Sequence, residues 1–192
     1  MIRAIKGKLE GTGVDWVLLD LDNVSLQISV PASKIPSLGP MGNIVKLYTH
    51  LSIRDDSMNL YGFTSTDELR IFELLISVSG VGPRLALAIL SRINVDQLVT
   101  TILTQNPDNL NAIPGVGKKT AARLLLELKG KLDGEWISEI SFTQENKKSE
   151  VISALVALGY SSSEARIAVS KLPTSQSTSV EELVVLALRS LG

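Results

Sequence analysis

The chain reads VSGVGPRLA at residues 78–86 and, 35 positions later, IPGVGKKTA at residues 113–121. Apolar residues such as Ile89 and Leu124 continue the same register beyond the two stretches. Each copy places Gly-Val-Gly between two segments with helical periodicity, which predicts a helix, a tight turn and a second helix. The repeat therefore predicts a tandem helix-hairpin-helix in the middle of the chain.

The residue types of this repeat suit phosphate binding. Two glycines around one apolar residue let the backbone turn tightly and approach another molecule without interference from a Cβ atom. The second helix of each copy then presents N–H groups and the positive end of its dipole, and Pro83 fits the first helical position, which needs no N–H. Basic side chains follow in both copies. The candidate DNA-binding residues are Gly80, Gly82, Arg84, Gly115, Gly117, Lys118, Lys119 and Arg123.

Charge is concentrated locally. The net charge is −1, from 19 basic and 20 acidic residues, which argues against binding through an overall positive field. Basic residues nevertheless cluster between positions 118 and 131. Because backbone donors and lysines contact phosphates and not bases, we expect sequence-independent, salt-sensitive binding. The alternative, ordinary helical hairpins that need glycine only to turn, is disfavoured because both copies carry basic residues in register.

Composition excludes several other classes of site. The absence of cysteine excludes disulfide scaffolds, thiolate zinc sites and iron–sulfur clusters. The single histidine, His50, is expected to be a strand residue without a catalytic role. GVGKKT at residues 115–120 lacks the glycine, the Ser or Thr after the first lysine and the preceding strand of an NTPase phosphate loop. We expect no catalytic residue, no metal and no cofactor.

The 192 residues, of which 44% are hydrophobic, allow several small domains. Alternating apolar residues broken by turn signals predict five or six strands in residues 1–63, typical of an OB-type barrel. Helical periodicity begins near Thr64, and the double-hairpin domain is assigned to 64–142. A polar linker, 143–149, precedes a small three-helix domain, 150–192, that resembles ubiquitin-associated bundles. The fold class is thus multidomain α+β.

Three side-chain sets have two interpretations each. The adjacent acids Asp55 and Asp56 are either a polar hairpin turn or a negatively charged pin held against a phosphate backbone. Trp16, Tyr48, Tyr61 and Phe63 could stack on single strands but are more typical of core or interface. In the last domain, four apolar residues could form the core or a partner surface, and the small size of the bundle favours core; they are Leu155, Leu158, Val184 and Leu188.

The chain resembles the RuvA family, the Holliday-junction-binding subunits of the bacterial RuvAB branch-migration complex. The stretches that carry the resemblance are LYTH at residues 47–50, RDD at 54–56, LYGF at 60–63, both hairpins, and ALVALGY at 154–160. The order of these motifs behind the barrel is specific, and the resemblance covers essentially the full length. One departure is NVSLQ at residues 23–27, where the family usually has a Gly-Val-Gly-Tyr-like stretch, so the local strand bend is open.

The resemblance implies a non-catalytic subunit that holds a four-way junction open and recruits the RuvB hexameric ATPase through the third domain, for recombination and repair. It implies that the chain forms a homotetramer, that an octamer can form on DNA, and that the RuvC resolvase is a further partner. Asp55 and Asp56 would be the central acidic pin. Since no apolar run reaches the length of a membrane span and no signal-like start is present, we expect a cytoplasmic protein without a membrane segment.

Two other functions are alternatives to junction binding. Residues 114–121 also resemble the hairpin of DNA glycosylase-lyases, in which Lys119 would attack the sugar. That family's aspartate would fall near Ile137, and its iron–sulfur cysteines are missing, so this activity is disfavoured. A pure interaction adaptor, in which the hairpins only pack, is the other alternative, and loss of DNA binding on replacing Lys118 and Lys119 would exclude it.

Overall fold

A computed structural model describes residues 2–54, 57–132, 148–170, 172 and 179–191. The chain divides into two compact units, Met1–Lys131 and Leu132–Gly192. In the part of the chain that the structure describes, no single helix is long and apolar enough to cross a membrane.

Residues Ala4–Phe63 form a closed five-stranded barrel. The strands are β1 (Ala4–Thr12), β2 (Trp16–Asp20), β3 (Ser25–Ser29), β4 (Ile44–Arg54) and β5 (Ser57–Phe63), in the order β1-β2-β3-β5-β4. All pairs are antiparallel except β3–β5, where Ser29 opposes Tyr61 in parallel and closes the barrel. Alternation places Ile5 and Leu9 inside and the lysines between them outside. The predicted OB-like barrel is confirmed.

Two details of the barrel differ from the sequence prediction. The sequence GTG at residues 11–13 predicts a turn, but β1 continues to Thr12 and Gly11 lies opposite Leu18. The register shifts between Leu9 and Gly11, so Glu10 is the extra residue of a bulge, which bends a strand without ending it. The prolines and glycines of residues 36–42 predict a loop, but the start of that stretch lies within a 3-10 helix, Ala32–Leu38, called here the 3-10 segment. β3 begins at Ser25, within the departing stretch at residues 23–27, and pairs with β2 in regular register.

Five helices follow the barrel in the first unit: α1 (Thr66–Ile76), α2 (Pro83–Leu90), α3 (Val95–Thr104), α4 (Asp108–Asn111) and α5 (Lys118–Lys129). The first hairpin is α1-turn-α2 and the second is α4-turn-α5, as the repeat predicts. Side chains cap the starts of α1 and α3, two of the helices that begin outside the Gly-Val-Gly turns. Ser65 accepts from the Glu68 N–H at the start of α1, and Asn94 forms a capping box with Gln97 at the start of α3.

Phe72 of α1 joins the helices to the barrel. Its side chain is fully buried, and its ring centroid lies 5.1 Å from that of Tyr61 and 4.8 Å from that of Phe63, both in β5. The His50 ring of β4 packs edge-on at 5.5 Å. Tyr61 and Phe63 are therefore interface residues, as aromatics in so small a barrel most often are, and neither is exposed for stacking on bases.

The second unit contains three helices within its described residues: α6 (described over 148–157), α7 (Ser162–Ser170) and α8 (Val180–Leu191). Leu155 lies in the core, and Val184 and Leu188 pack against it. Leu158 was also expected in the core, and that prediction is wrong: 60% of it is exposed. It follows the last residue of α6 and precedes Gly159, whose φ of 100° lies in the left-handed region, so Leu158 is part of the turn that ends the helix.

The start of α7 shows a capping arrangement that holds an ionised carboxylate. The Ser161 hydroxyl and backbone N–H both donate to Glu164 Oε2, at 2.6 and 2.9 Å. These two hydrogen bonds, the hydroxyl's first, lower the pKa of the Glu164 carboxyl below its ordinary value. The N-terminus of α7 is thereby closed by its own side chains.

Phe72→Ala tests the junction between barrel and helices. Because Phe72 is fully buried among rings from β4 and β5, its truncation leaves a cavity and should lower the free energy of unfolding by about 3–5 kcal/mol. Urea unfolding followed by circular dichroism measures this. Ile167→Ala, at an exposed position of α7, is the control with an expected loss below about 1 kcal/mol. A loss that small for Phe72→Ala would contradict the packing.

Candidate nucleic-acid interface

The two hairpin turns have the same geometry. Gly80 and Gly115 have φ of 84° and 88°, in the left-handed region that side chains disfavour. The next residue, Val81 or Val116, is buried. Its N–H donates back three residues, to Val78 O at 3.1 Å and to Ile113 O at 3.0 Å. The repeat in the sequence is therefore a repeat in conformation, in which valine anchors each turn and the first glycine makes it possible.

The second glycine of each turn is different. Gly82 and Gly117 have φ of −90° and −82° with extended ψ, a conformation open to any residue. A Cβ atom built on either would have no neighbour within 4 Å. Neither the backbone nor the packing of this chain requires glycine at these two positions. A close approach by another molecule gives a reason for both.

Gly82 and Gly117 are the N-caps of α2 and α5. No side chain caps either helix, in contrast to α1 and α3. The backbone at Gly117 (φ −82°, ψ 168°) nearly matches that at Asn94 (φ −76°, ψ 169°), so a capping side chain could have been accommodated. The first-turn N–H groups of α2 and α5 thus remain available to an anion from outside, and the helix dipole favours one.

The two turns lie side by side. A Cβ on Gly80 would come 3.9 Å from Arg123 Nη1 of α5, and a Cβ on Gly115 would come 3.2 Å from Leu85 Cδ1 of α2. Each turn therefore borders the second helix of the other copy. The two uncapped N-termini belong to one local surface, which we call the hairpin surface: Gly80, Gly82, Arg84, Gly115, Gly117, Lys118, Lys119 and Arg123.

The basic residues near this surface divide into two groups. Arg84, Lys118 and Lys119 are exposed, and none of them forms an ion pair with a described residue. Arg123 instead donates from Nη1 to Ser79 O at 3.3 Å, and its Nε lies 4.0 Å from Glu127. It therefore ties α5 to the turn of the first hairpin and has a structural contact as well as an exposed cation.

Lys131 also joins the two hairpins, a structural role that the sequence did not indicate. Its Nζ donates to Ser77 O at 3.1 Å and to Ser77 Oγ at 2.9 Å, at the end of α1. Ser77 and Lys131 are 54 residues apart, and no local pattern connects them. Two members of the basic cluster, Arg123 and Lys131, are thus used to brace the hairpins against each other.

Asp55 and Asp56 lie outside the described residues. The strands before and after them are described, and β4 and β5 pair in unbroken register from Tyr48–Phe63 to Arg54–Ser57. Near that end of the ladder, Ile53 and Met58 oppose each other and are 70% and 73% exposed. His50, further along β4, has its Nδ1 3.2 Å from Glu73 Oε1, a contact between barrel and α1 and not part of the hairpin surface.

Three family models match this chain, one to each of its main parts. A model of the RuvA N terminal domain matches residues 1–62, a SAM-like helix-hairpin-helix tandem matches 72–131, and the RuvA C-terminal domain matches 146–192. Relatives named Holliday junction branch migration complex subunit RuvA align at full length. The chain belongs to the RuvA family.

Two of these relatives show the extent of the match. The protein from Dehalococcoides mccartyi is 41% identical over 188 residues, covering 98% of this chain and 97% of the relative. That from Caldanaerobacter subterraneus is 42% identical over 192 residues and covers both chains completely. Every part of this RuvA-family chain, including both hairpins and the last three helices, thus has a counterpart in the family.

Serine substitutions separate the two kinds of glycine. Gly80→Ser and Gly115→Ser should each destabilise the first unit by about 1–2 kcal/mol, because a side chain is forced into the left-handed region. Gly82→Ser and Gly117→Ser should leave stability unchanged or raise it slightly, because serine is a good N-cap and the space is empty. Urea unfolding of the four single variants measures this. Equal losses at all four positions would contradict the distinction.

Proposed function

We propose that this chain is a non-catalytic DNA-binding subunit that holds a four-way junction open and directs a RuvB ATPase to it for branch migration. The observation that carries the proposal is the hairpin surface, with two uncapped helix N-termini behind unobstructed glycines, in a chain whose full-length relatives are named as branch migration complex subunits. The energy for moving the junction would come from the ATPase partner.

The hairpin surface supports binding to the phosphates of one duplex arm. Backbone N–H groups at the starts of α2 and α5 would each take a phosphate oxygen, with Gly82 and Gly117 allowing close approach. Arg84, Lys118, Lys119 and Arg123 would neutralise neighbouring phosphates. Because these contacts read no base edge, the binding would be independent of sequence, as movement of a junction along DNA requires.

Preference for a junction over plain duplex needs more than one hairpin surface. We propose a homotetramer, with a second tetramer able to cover the other face of the DNA, in which each subunit holds one arm. Asp55 and Asp56 of each subunit would form an acidic pin near the crossover. Repulsion of phosphates at the centre, combined with attraction by the outer hairpins, would favour an open junction and disfavour continuous duplex.

The remaining parts of the proposal concern the division of the chain and its partners. We propose a barrel domain (1–63), a double-hairpin domain (64–142), a linker (143–149) and a partner-binding domain (150–192). The second unit exposes the apolar residues Leu158, Ile167 and Val185, which suit a protein partner, and we assign RuvB to this unit. RuvC as a further partner and a cytoplasmic location complete the proposal.

A salt-titrated gel shift of a four-way junction against a linear duplex with the same arm sequences tests the DNA-binding part. The wild-type chain should prefer the junction at every salt concentration. Gly82→Ser with Gly117→Ser should weaken binding to both DNAs at least about tenfold, because the added side chains block the phosphates and occupy their N–H donors. Lys118→Ala with Lys119→Ala should reduce the slope of log affinity against log salt by about 2 on linear duplex, to which one hairpin surface binds.

The control is Asp15→Asn in the barrel, a substitution remote from the hairpins in sequence that should leave both affinities within about twofold, the scatter expected of a surface change. Equal affinity of the wild type for junction and duplex would contradict the proposed function. Undiminished binding by both double variants would instead leave the hairpins as packing elements and support the adaptor alternative.

Removing the charge of Asp55 and Asp56 tests the pin. Asp55→Asn with Asp56→Asn should tighten binding to linear duplex several-fold, because carboxylates no longer repel a continuous phosphate backbone, and should narrow the ratio of junction to duplex affinity. The same gel shift measures both quantities. If Asp15→Asn tightens duplex binding per charge removed as much as the double variant, the effect is one of net charge and the pin is excluded.

A further inference from the structure

The 3-10 segment, Ala32–Leu38, contacts both helices of the first hairpin. Lys34 Nζ lies 2.6 Å from Glu68 Oε1 of α1. The Ala32 N–H donates to the Oγ of Ser91 at 3.0 Å, and Ser91 is the residue that ends α2. A short piece of the barrel domain thereby holds the hairpin at two points, one on each helix.

The Lys34–Glu68 pair is withdrawn from solvent. The side chains are 17% and 6% exposed. The second carboxylate oxygen, Glu68 Oε2, accepts from the N–H and the hydroxyl of Thr64, at 2.9 Å each. Both oxygens of Glu68 are therefore bonded, and the loss of Lys34 would leave a buried carboxylate short of its cation.

A second ionic contact on α1 differs from this pair. Glu73 Oε1 lies 3.3 Å from Arg3 Nη1 and 3.2 Å from His50 Nδ1, but the Arg3 and Glu73 side chains are 61% and 35% exposed. Solvent screens such a contact, and it contributes little. Of the two, the Lys34–Glu68 pair is the one able to restrict the orientation of α1.

Directional bonds are needed here because the central contact is not directional. Phe72 packs on Tyr61 and Phe63 through apolar surface, which resists separation of barrel and helix much more than it resists rotation. The contacts from the 3-10 segment lie at two separate points, on α1 and at the end of α2. Beside the packing of Phe72, these two polar contacts fix one point on each helix of the first hairpin.

We propose that Lys34, Glu68 and Ser91 are positioning residues that set the angle at which the hairpins leave the barrel, and that this angle determines the preference for a four-way junction. The inference rests on the proposed function. A linear duplex needs one hairpin surface, whatever its angle. A junction needs several surfaces engaged at once, and the gain from simultaneous binding is lost when geometry forbids it.

Lys34→Met in the full chain tests the proposal, because it keeps the length of the side chain and removes the charge. Binding to linear duplex should stay within about twofold of wild type, and binding to the four-way junction should weaken at least about tenfold. Lys34→Arg, which restores the cation, should recover the junction affinity to within about threefold. Arg3→Gln, at the exposed ionic contact on the same helix, is the matched control and should change neither affinity.

Ser91→Ala gives a second and gentler variant, which is decisive if Lys34→Met does not fold. It removes the acceptor of the Ala32 N–H and should lower junction affinity about threefold with duplex affinity unchanged. Thermal unfolding by circular dichroism establishes that each variant tested is folded.

The angle itself can be measured, because the chain has no cysteine and labels can be placed at will. Spin labels at Val14→Cys in the barrel and Thr100→Cys in α3, in labelled chain mixed with excess unlabelled chain, should give one narrow distance distribution in the wild type. The distribution should broaden in Lys34→Met and narrow again in Lys34→Arg.

The outcomes distinguish this inference from the proposed function. Equal binding of junction and duplex by the wild type overturns the proposed function, whatever the variants do. A wild type that prefers the junction, with an unchanged ratio in the folded Lys34→Met or Ser91→Ala variant, overturns only the positioning role. Equal weakening on both DNAs also overturns it, since Lys34 would then affect the phosphate contacts and not their arrangement.

Discussion

The burial of the Phe72 ring between the barrel and α1 is the contact on which the first unit depends. Phe72 lies in α1, but its ring packs against Tyr61 and Phe63 of β5, the last strand of the barrel. Tyr61 and Phe63 thus pack against α1, and the barrel has a core of its own beside them, formed by residues such as Ile5, Leu9 and Leu47. Polar contacts from the 3-10 segment, Arg3 and His50 surround this packing. They can form only because burial of the Phe72 ring holds the barrel and α1 together.

The hairpins show how one residue type serves two purposes within three positions of sequence. Gly80 and Gly115 satisfy a demand of the backbone, a positive φ that allows valine to reach the core. Gly82 and Gly117 satisfy no demand inside the chain, because their conformation is ordinary and the space beside them is empty. Because neither the backbone nor the packing requires glycine at Gly82 and Gly117, these two glycines indicate that a ligand approaches the backbone there.

The basic residues are likewise divided between structure and binding. Arg123 and Lys131 donate to oxygens of Ser79 and Ser77, so that they hold the second hairpin against the first. Lys118 and Lys119 are exposed at the start of α5. A chain with a net charge of −1 can thus expose some cations at one surface while others form hydrogen bonds with its own oxygens. Counting lysines along the sequence does not separate these two uses.

What the sequence by itself determined is local. The two Gly-Val-Gly turns, the strand alternation and the three helices of the second unit all follow from patterns within about ten residues, where backbone sterics and hydrogen-bond geometry leave few choices. The family followed from the order of these local motifs along the chain.

Only the tertiary structure decided which distant polar groups meet. The Ala32–Ser91, Arg123–Ser79 and Lys131–Ser77 contacts join residues 59, 44 and 54 positions apart. Leu158 is exposed although its type and spacing fit a core. The chain offers many cations and hydroxyls of equal chemistry, and none carries a local mark of its partner. Their pairing is set by the packing of elements distant in sequence, which alone places a given donor within hydrogen-bond distance of a given acceptor.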